Sequence, residues 1–286
     1  MERKLWTRLY PIIVAVCQRI SHPKVVFADR WILLVYFWAV IHDRPTSWAC
    51  QRINWPDDLC PAQLPSQPTM SRRLRTPHIQ WALALILEQL RADPAARLLK
   101  CIDAKPLPVG GASKDPDAHW GRGTRGPIKG YKLFALWGLG PVPLAWEVRS
   151  ADCSESTEAD RLIPHLGGAG YLLGDAIYDC NRLYDLAIIH EHQLIATPKR
   201  PGKGLGHCYQ SPHRLRGLEL LASPFGQALY AARDDIERDF GHLTSFGGGL
   251  TGLPSWVRRL GRVGMWVEAK LIINGVRDLL KQRLTA

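Results

Sequence analysis

The 286-residue chain has no C-x-x-C pair, and its seven cysteines, Cys17, Cys50, Cys60, Cys101, Cys153, Cys180 and Cys208, are odd in number and widely spread. This excludes a disulfide framework and a zinc finger and fits a reducing compartment, here expected to be the cytoplasm. No apolar run reaches the ~20 residues that a membrane span needs. The longest, Trp31 to Ile41, is bracketed by Asp29-Arg30 and Asp43-Arg44 and reads as a buried helix. Only a five-residue apolar stretch, Ile12 to Val16, follows the charged start, so no export signal is expected. Gly202-Lys203-Gly204 lacks the Gly-Lys-Ser/Thr ending of a phosphate-binding loop, and no nucleotide is inferred. His190 and His192, or His207, Cys208 and His213, have no second half at zinc-ligand spacing and read as helix-end and loop residues.

Acidic charge is the other deficit. Lys and Arg number 37 against 26 Asp and Glu, a formal net charge of +11 that favours a polyanionic partner. The first hundred residues carry fourteen of those cations against seven acids, so the N-terminal third is the more basic part. With 46% hydrophobic and 22% charged residues the chain has the material for a sizeable core, in one large domain or two unequal ones.

Apolar periodicity predicts helices near 3–20, 28–42, 47–53 and 77–92, the last with Ile79, Leu83, Ile86, Leu87 and Leu90 on one face. Beyond Lys100 the pattern changes to strands at 98–104, 131–138 and 143–149, separated by Gly/Pro-rich turns. A helix over 155–166 follows, with Ser154 as its cap, then short strands at 171–174 and 193–197 around a helix at 180–191. Helices near 228–243 and 255–283 close the chain. Strands first, then strands alternating with helices, indicate an α/β layer with a mixed sheet. Trp31, Trp38, Trp81 and Trp266 fall in helical patterns and are expected in the core.

Three acids carry the chemistry. Asp103 follows the apolar stretch Leu98–Ile102, and Asp175 follows Tyr171-Leu172-Leu173-Gly174, so both are expected at strand ends, where α/β proteins place functional groups. Glu237 shares one helical face with Tyr230, Arg233 and Phe240. Taken singly, each Asp reads equally as a turn or helix cap, and Glu237 between Arg233 and Arg238 as a solvated salt-bridge face. Taken together, three convergent carboxylates form an oxygen-rich site suited to two Mg²⁺ or Mn²⁺ ions acting on a phosphodiester. Asp179 competes with Asp175 but is better placed to cap the helix at 180; Asp152 and Glu155 likewise read as caps.

On these residues the chain resembles the insertion-sequence transposases of the DDE type, whose catalytic domain is ribonuclease H-like. Tyr230, Arg233 and Glu237 match their Tyr-x2-Arg-x3-Glu-x6-Lys signature, with a departure at Thr244, where the signature has Lys. Cys101-Ile102-Asp103 resembles the first-Asp motif, Ile128–Leu133 the start of the next strand, Leu173–Asp179 the second-Asp motif, and Ile195–Arg200 the strand that follows. Spacings of 72 and 62 residues between the acids leave no room for a large insertion. The resemblance implies a ribonuclease H-like mixed sheet flanked by helices over 98–286, preceded by an all-α DNA-binding region over 1–97. It implies Asp103, Asp175 and Glu237 as catalytic and metal-binding residues, with Asp103 bridging two Mg²⁺ ions that Mn²⁺ can replace. It further implies water attack at the element's ends, strand transfer of the freed 3′-hydroxyl into target DNA, no ATP, and a homodimer assembled on double-stranded DNA carrying terminal inverted repeats. Arg233 then pairs with a carboxylate or phosphate and Tyr230 contacts DNA, with Arg238 as a further source of charge.

The segment Leu64–Arg75 begins with a capping Ser66 and runs into a short helix bearing Arg72, Arg73 and Arg75. On its residues alone this reads equally as a surface helix with solvated arginines; with the helix near 47–53, the resemblance implies a helix-turn-helix presenting Gln67, Thr69, Ser71 and Arg72 to DNA. A flexible loop with Arg122 and Arg125, and the loop with Lys199 and Arg200 after the last strand, read either as further phosphate contacts or as solvated loops. Two alternatives stay open: a metal-dependent nuclease of the same fold, and a transposase-derived DNA-binding regulator without catalysis.

Overall fold

The computed structural model describes residues 2–20, 25–91, 93–138, 140, 142–202, 208–234, 241–244 and 249–285. Two compact units form: residues 91–242 make one, and residues 1–90 together with 243–286 make the other. This differs from the expected division at 97/98, because the last segment folds with the first ninety residues.

The helical unit contains α1 (Glu2–Arg19), α2 (Asp29–Ile41), α3 (Thr46–Ala49), α4 (Gln67–Arg73), α5 (Pro77–Leu90) and, from the C-terminal segment, α10 (Leu260–Thr285). The apolar run of α2 is buried on every side from Ile32 to Val40, and α10 buries Val263, Val267, Leu271 and Val276 against the same core. A helix this apolar cannot rest on solvent, which is why residues 260–285 pack on α1, α2 and α5. Trp38 stacks on Trp55 with ring centroids 4.5 Å apart, and Trp6 meets Trp38 edge-on at 5.2 Å. Trp38 and Trp266 are buried as expected, whereas Trp81 is half exposed, since it lies off the Ile79/Leu83/Ile86 face of α5. Lys270 is buried, yet its ammonium donates to Val40 O (2.9 Å) and Asp43 Oδ1 (2.6 Å), closing the C-terminal end of α2 with a cation.

The second unit is built on a six-stranded sheet. Its strands are β1 (Leu99–Pro108), β2 (His119–Gly123), β3 (Gly126–Gly138), β4 (Ala145–Ser150), β5 (Gly170–Gly174) and β6 (His192–Ala196). The order is β2-β3-β1-β5-β6, with β4 also pairing with β3. The β2–β3, β3–β4 and β1–β3 pairs are antiparallel, while β1–β5 and β5–β6 are parallel. A meander followed by two parallel strands makes the sheet ribonuclease H-like. Helices α6 (Glu155–Leu162) and α7 (Asn181–Ile189) pack on the face that holds Ile102, Phe134, Leu136, Leu172 and Leu194. Helix α8 (Pro212–Ala222), preceding α9 (Pro224–Ala231), closes the β6 edge, and Gly217 permits this: a Cβ there would stand 2.7 Å from Leu194 O.

Several expectations change. Residues 121–126 are not a flexible loop but β2 and its hairpin turn, so Arg122 sits on a strand and Arg125 at the turn, both exposed. β1 runs to Pro108, which leaves Asp103 inside the strand, not at its end. Gly130 allows that length, because a Cβ there would lie 2.3 Å from Leu107 O on the paired strand. Helix α8 was not legible in a stretch that reads as a basic loop. The helix expected over 228–243 begins earlier, at Pro224, and residues 235–240 fall outside the described residues. His192 is in β6 and fully buried: its Nε2 faces Lys100 Nζ at 2.7 Å, and Lys100 also donates to Gly167 O. Burial pushes both of these bases down from their ordinary values.

Glu268 of α10 is pushed up to about 7 by burial. A carboxyl raised above its unfolded value of 4.5 favours the fold below that value and loses the contribution as pH rises through about 7. Glu268→Gln is therefore expected to stabilise the chain by on the order of 2–3 kcal/mol at pH 8 and to change little at pH 4.5. Urea unfolding of both proteins at the two pH values measures this.

Candidate active site

The site is built where the parallel β1–β5 ladder stops. Its last pair is Cys101↔Leu173, and Asp103 and Asp175 each follow that pair by two residues. Both have the side-chain parity of Cys101 and Leu173, opposite to the Ile102/Leu172 face that α6 and α7 cover. Both are half-buried. Asp103 Oδ1 accepts from the N–H of Ala104 at 2.8 Å. Asp175 caps the short 3-10 turn Ala176–Tyr178, its Oδ1 accepting from the N–H of Ile177 at 2.8 Å. The capping role open to Asp175 is thus realised with one oxygen, and among the described residues Oδ2 takes no hydrogen bond.

Tyr178 lies within the field of both Asp103 and Asp175. Among the described residues its buried hydroxyl has no hydrogen-bond partner. Burial first, then the negative charges of Asp103, Glu155 and Asp175, raise it well above the usual phenol value. Lys105, two residues beyond Asp103 on the same side of β1, is pulled down by burial and held up by the Asp103 charge. Lys105 went unnoticed in the sequence because its relation to Asp103 needs β1 to extend past residue 104.

The signature helix face is tied to the same place. Tyr230 Oη donates to Gly174 O, the carbonyl just before Asp175, at 3.1 Å, and Arg233 lies over the Tyr230 ring with its Nη1 3.4 Å from that hydroxyl. Tyr230 is thereby fixed at the end of β5. Glu237 and Arg238 lie outside the described residues. Thr244, at the position of the signature's Lys, is half-buried.

Asp179 does not cap α7. Burial pushes its carboxyl up, but hydrogen bonds from Arg214 (Nε 2.6 Å, Nη2 2.8 Å) and the N–H of Lys199 (3.0 Å) outweigh this and hold it below the ordinary value. Arg214 is far away in sequence and carried no signal. Glu155 pairs with Lys132 Nζ at 2.9 Å behind the sheet, and exposed Asp152 pairs with His119 at 3.0 Å. Ser154 stands at the N-cap of α6 without a side-chain capping bond.

The remaining DNA-contact candidates scatter. Lys199 and Arg200 are exposed after β6. Arg72 and Arg75 are exposed on and just after α4, but Arg73 is turned inward, paired with buried Asp29 and donating to Phe27 O at 2.9 Å. The expected helix-turn-helix is not met as drawn, because residues 50–66 separate α3 from α4 whereas a tight turn takes three or four residues.

Two abreast carboxylates with an open oxygen suit hard divalent cations, although no group of three or more potential ligands forms among the described residues. No helix among them is long and apolar enough to cross a membrane. A family model described as the transposase DDE domain matches residues 94–266. The chain belongs to the DDE transposase family. Members of that family generally use divalent metal ions. Searches of curated proteins and of solved structures gave no significant match.

Asp179 is held below its ordinary value, so its ion pair stabilises above pH 3.8 and is lost as pH falls through the depressed value. Arg214→Met, which leaves a buried carboxylate unpaired, is expected to cost about 3 kcal/mol at pH 7. Urea titrations should show the gap between the two proteins narrowing below that range.

Proposed function

We propose that the chain is a DNA transposase that cleaves at element ends and transfers the freed strand into target DNA. The observation that supports this reading is that Asp103 and Asp175 each lie two residues past the last β1–β5 pair, Cys101↔Leu173, beside a helix face anchored by Tyr230 on Gly174 O. Asp103, Asp175 and Glu237 would hold two Mg²⁺ ions, or Mn²⁺ in their place, with Asp103 shared. Bound there, such ions supply a lowered pKa for water and charge neutralisation at the scissile phosphodiester.

The chain's own groups do the positioning. Asp175 Oδ1 is held by its bond from the Ile177 N–H, and Oδ2 takes no hydrogen bond among the described residues. Arg233, held against Tyr230, offers its guanidinium to a phosphate or to a carboxylate of the triad. Lys105 adds a cation beside Asp103. Arg72, Arg75, Arg122, Arg125, Lys199 and Arg200, all exposed, are available to the DNA backbone, together with Arg238. Joining exchanges one phosphodiester for another, so no nucleotide is required. Two element ends processed together imply a homodimer on DNA.

Asp103→Asn, Asp175→Asn and Glu237→Gln are each expected to abolish Mg²⁺-dependent cleavage of duplex DNA carrying the terminal repeats that flank the gene, with DNA affinity largely kept. Equal activity in the variants would sink the assignment. Cleavage without joining by the wild-type chain would indicate a nuclease, and binding without cleavage a regulator. Tyr230→Phe removes one neutral hydrogen bond of about 1 kcal/mol, and single-turnover cleavage is expected to slow about three- to tenfold with little change in affinity.

A further inference from the structure

The helical unit holds a cavity of about 190 Å³ that the catalytic reading does not use. Its wall is contributed by both ends of the chain: Arg44 before α3, Ser71 and Arg75 at α4, then Trp256 and Arg262 at the approach to α10. It is rimmed by three arginines and lined by no carboxylate. Arg75 Nε donates to Ser71 O at 2.8 Å and Arg262 Nη1 to Trp256 O at 3.3 Å, contacts that leave both charges uncompensated. None of the three has an ion pair among the described residues. This sets them apart from Arg3, Arg73, Arg149, Arg161, Arg182 and Arg214, each of which faces a carboxylate.

Three like charges around one concavity repel one another, and an anion in the cavity relieves that repulsion. The chemistry of the rim narrows the anion. Guanidinium forks match phosphate oxygens, the Ser71 hydroxyl can add a further donor, and the partly exposed ring of Trp256 offers a flat apolar face to a sugar or base. We propose that this cavity is a DNA-backbone docking site in which Arg44, Arg75 and Arg262 hold phosphodiester oxygens and Trp256 packs on the adjoining nucleotide. The assignment rests on the reading of the chain as a DNA-acting enzyme. It adds Arg44 and Arg262, distant in sequence, to the Arg75 that local sequence reasoning had singled out, and it removes Arg73.

The test uses the full chain and a fluorescein-labelled duplex of about 30 base pairs, with anisotropy titrations between about 50 and 200 mM salt. The triple variant Arg44→Ala/Arg75→Ala/Arg262→Ala is expected to bind at least about tenfold more weakly at 100 mM salt, with the log Kd against log salt slope smaller by about 2 to 3. Replacing the same three by Lys should retain most of the slope. If thermal unfolding shows the triple Ala variant to be unfolded, the single variants carry the test, each with a slope loss of about 0.9. Unchanged affinity and slope in a folded variant overturn the proposal, as does tighter binding of duplex RNA of the same sequence. A wild-type chain that binds duplex DNA with this slope but never cleaves it refutes the transposase reading and leaves the docking site standing; one that does not bind DNA overturns both.

Discussion

The parallel ladder between β1 and β5 is the constraint on which the site depends. It ends at Cys101↔Leu173, and beyond that pair the two strands take different partners. β1 continues on β3 as far as Pro108, held by the close approach that Gly130 allows. β5 gives out at Gly174, and the next residue caps a 3-10 turn. Asp103 therefore rides on a strand still hydrogen-bonded along one edge, while Asp175 is fixed by its own capping bond. The carbonyl freed at the end of the ladder, Gly174 O, is the one that Tyr230 takes. One termination event thus aligns two carboxylates and anchors the helix that follows them in the signature.

Charge in this chain divides by partner. Lys132 with Glu155, Arg214 with Asp179 and Arg73 with Asp29 are low-exposure pairs in which each ion is compensated inside the fold. These pairs are neutral, so the formal excess of +11 rests on the remaining side chains. A basic protein of this composition presents a more one-sided surface than its residue counts suggest. The site carboxylates are the exception: half-buried, with both charges acting on Tyr178, they make a local concentration of negative charge that repels a DNA backbone unless cations intervene.

The sequence made the sheet legible because its strands are short apolar runs bounded by Gly and Pro, and the acids directly after Leu98–Ile102 and Tyr171–Gly174 stand out at the ends of those runs. It did not show β2, since Trp120, Arg122 and the flanking glycines carry no alternation, nor the length of β1, where Lys105 and two prolines mask a strand stabilised by its neighbour. Helix α8 opens on a Ser-Pro cap in a basic stretch, and its stability comes from contact with β6, which a local reading cannot see. Asp179 looked like a cap because its partner Arg214 is 35 residues away. The return of residues 260–285 to the first ninety was hidden for the same reason. Apolar content predicts that a helix is buried and not against what.

Register is enforced from the opposite face of the sheet. Ile102, Ala104, Leu172, Leu194 and Ala196 alternate with the site residues and pack beneath α6 and α7. A slip of β1 by one residue would send Asp103 into that core beside Phe134 and Leu136, an uncompensated carboxylate in an apolar layer, and would turn Ile102 toward the site. The cost of that inversion is many times the strength of any single hydrogen bond at the site. The carboxylates are therefore aligned less by contacts of their own than by the hydrophobic residues next to them. Alternation in the core keeps both carboxylates on the sheet face opposite α6 and α7.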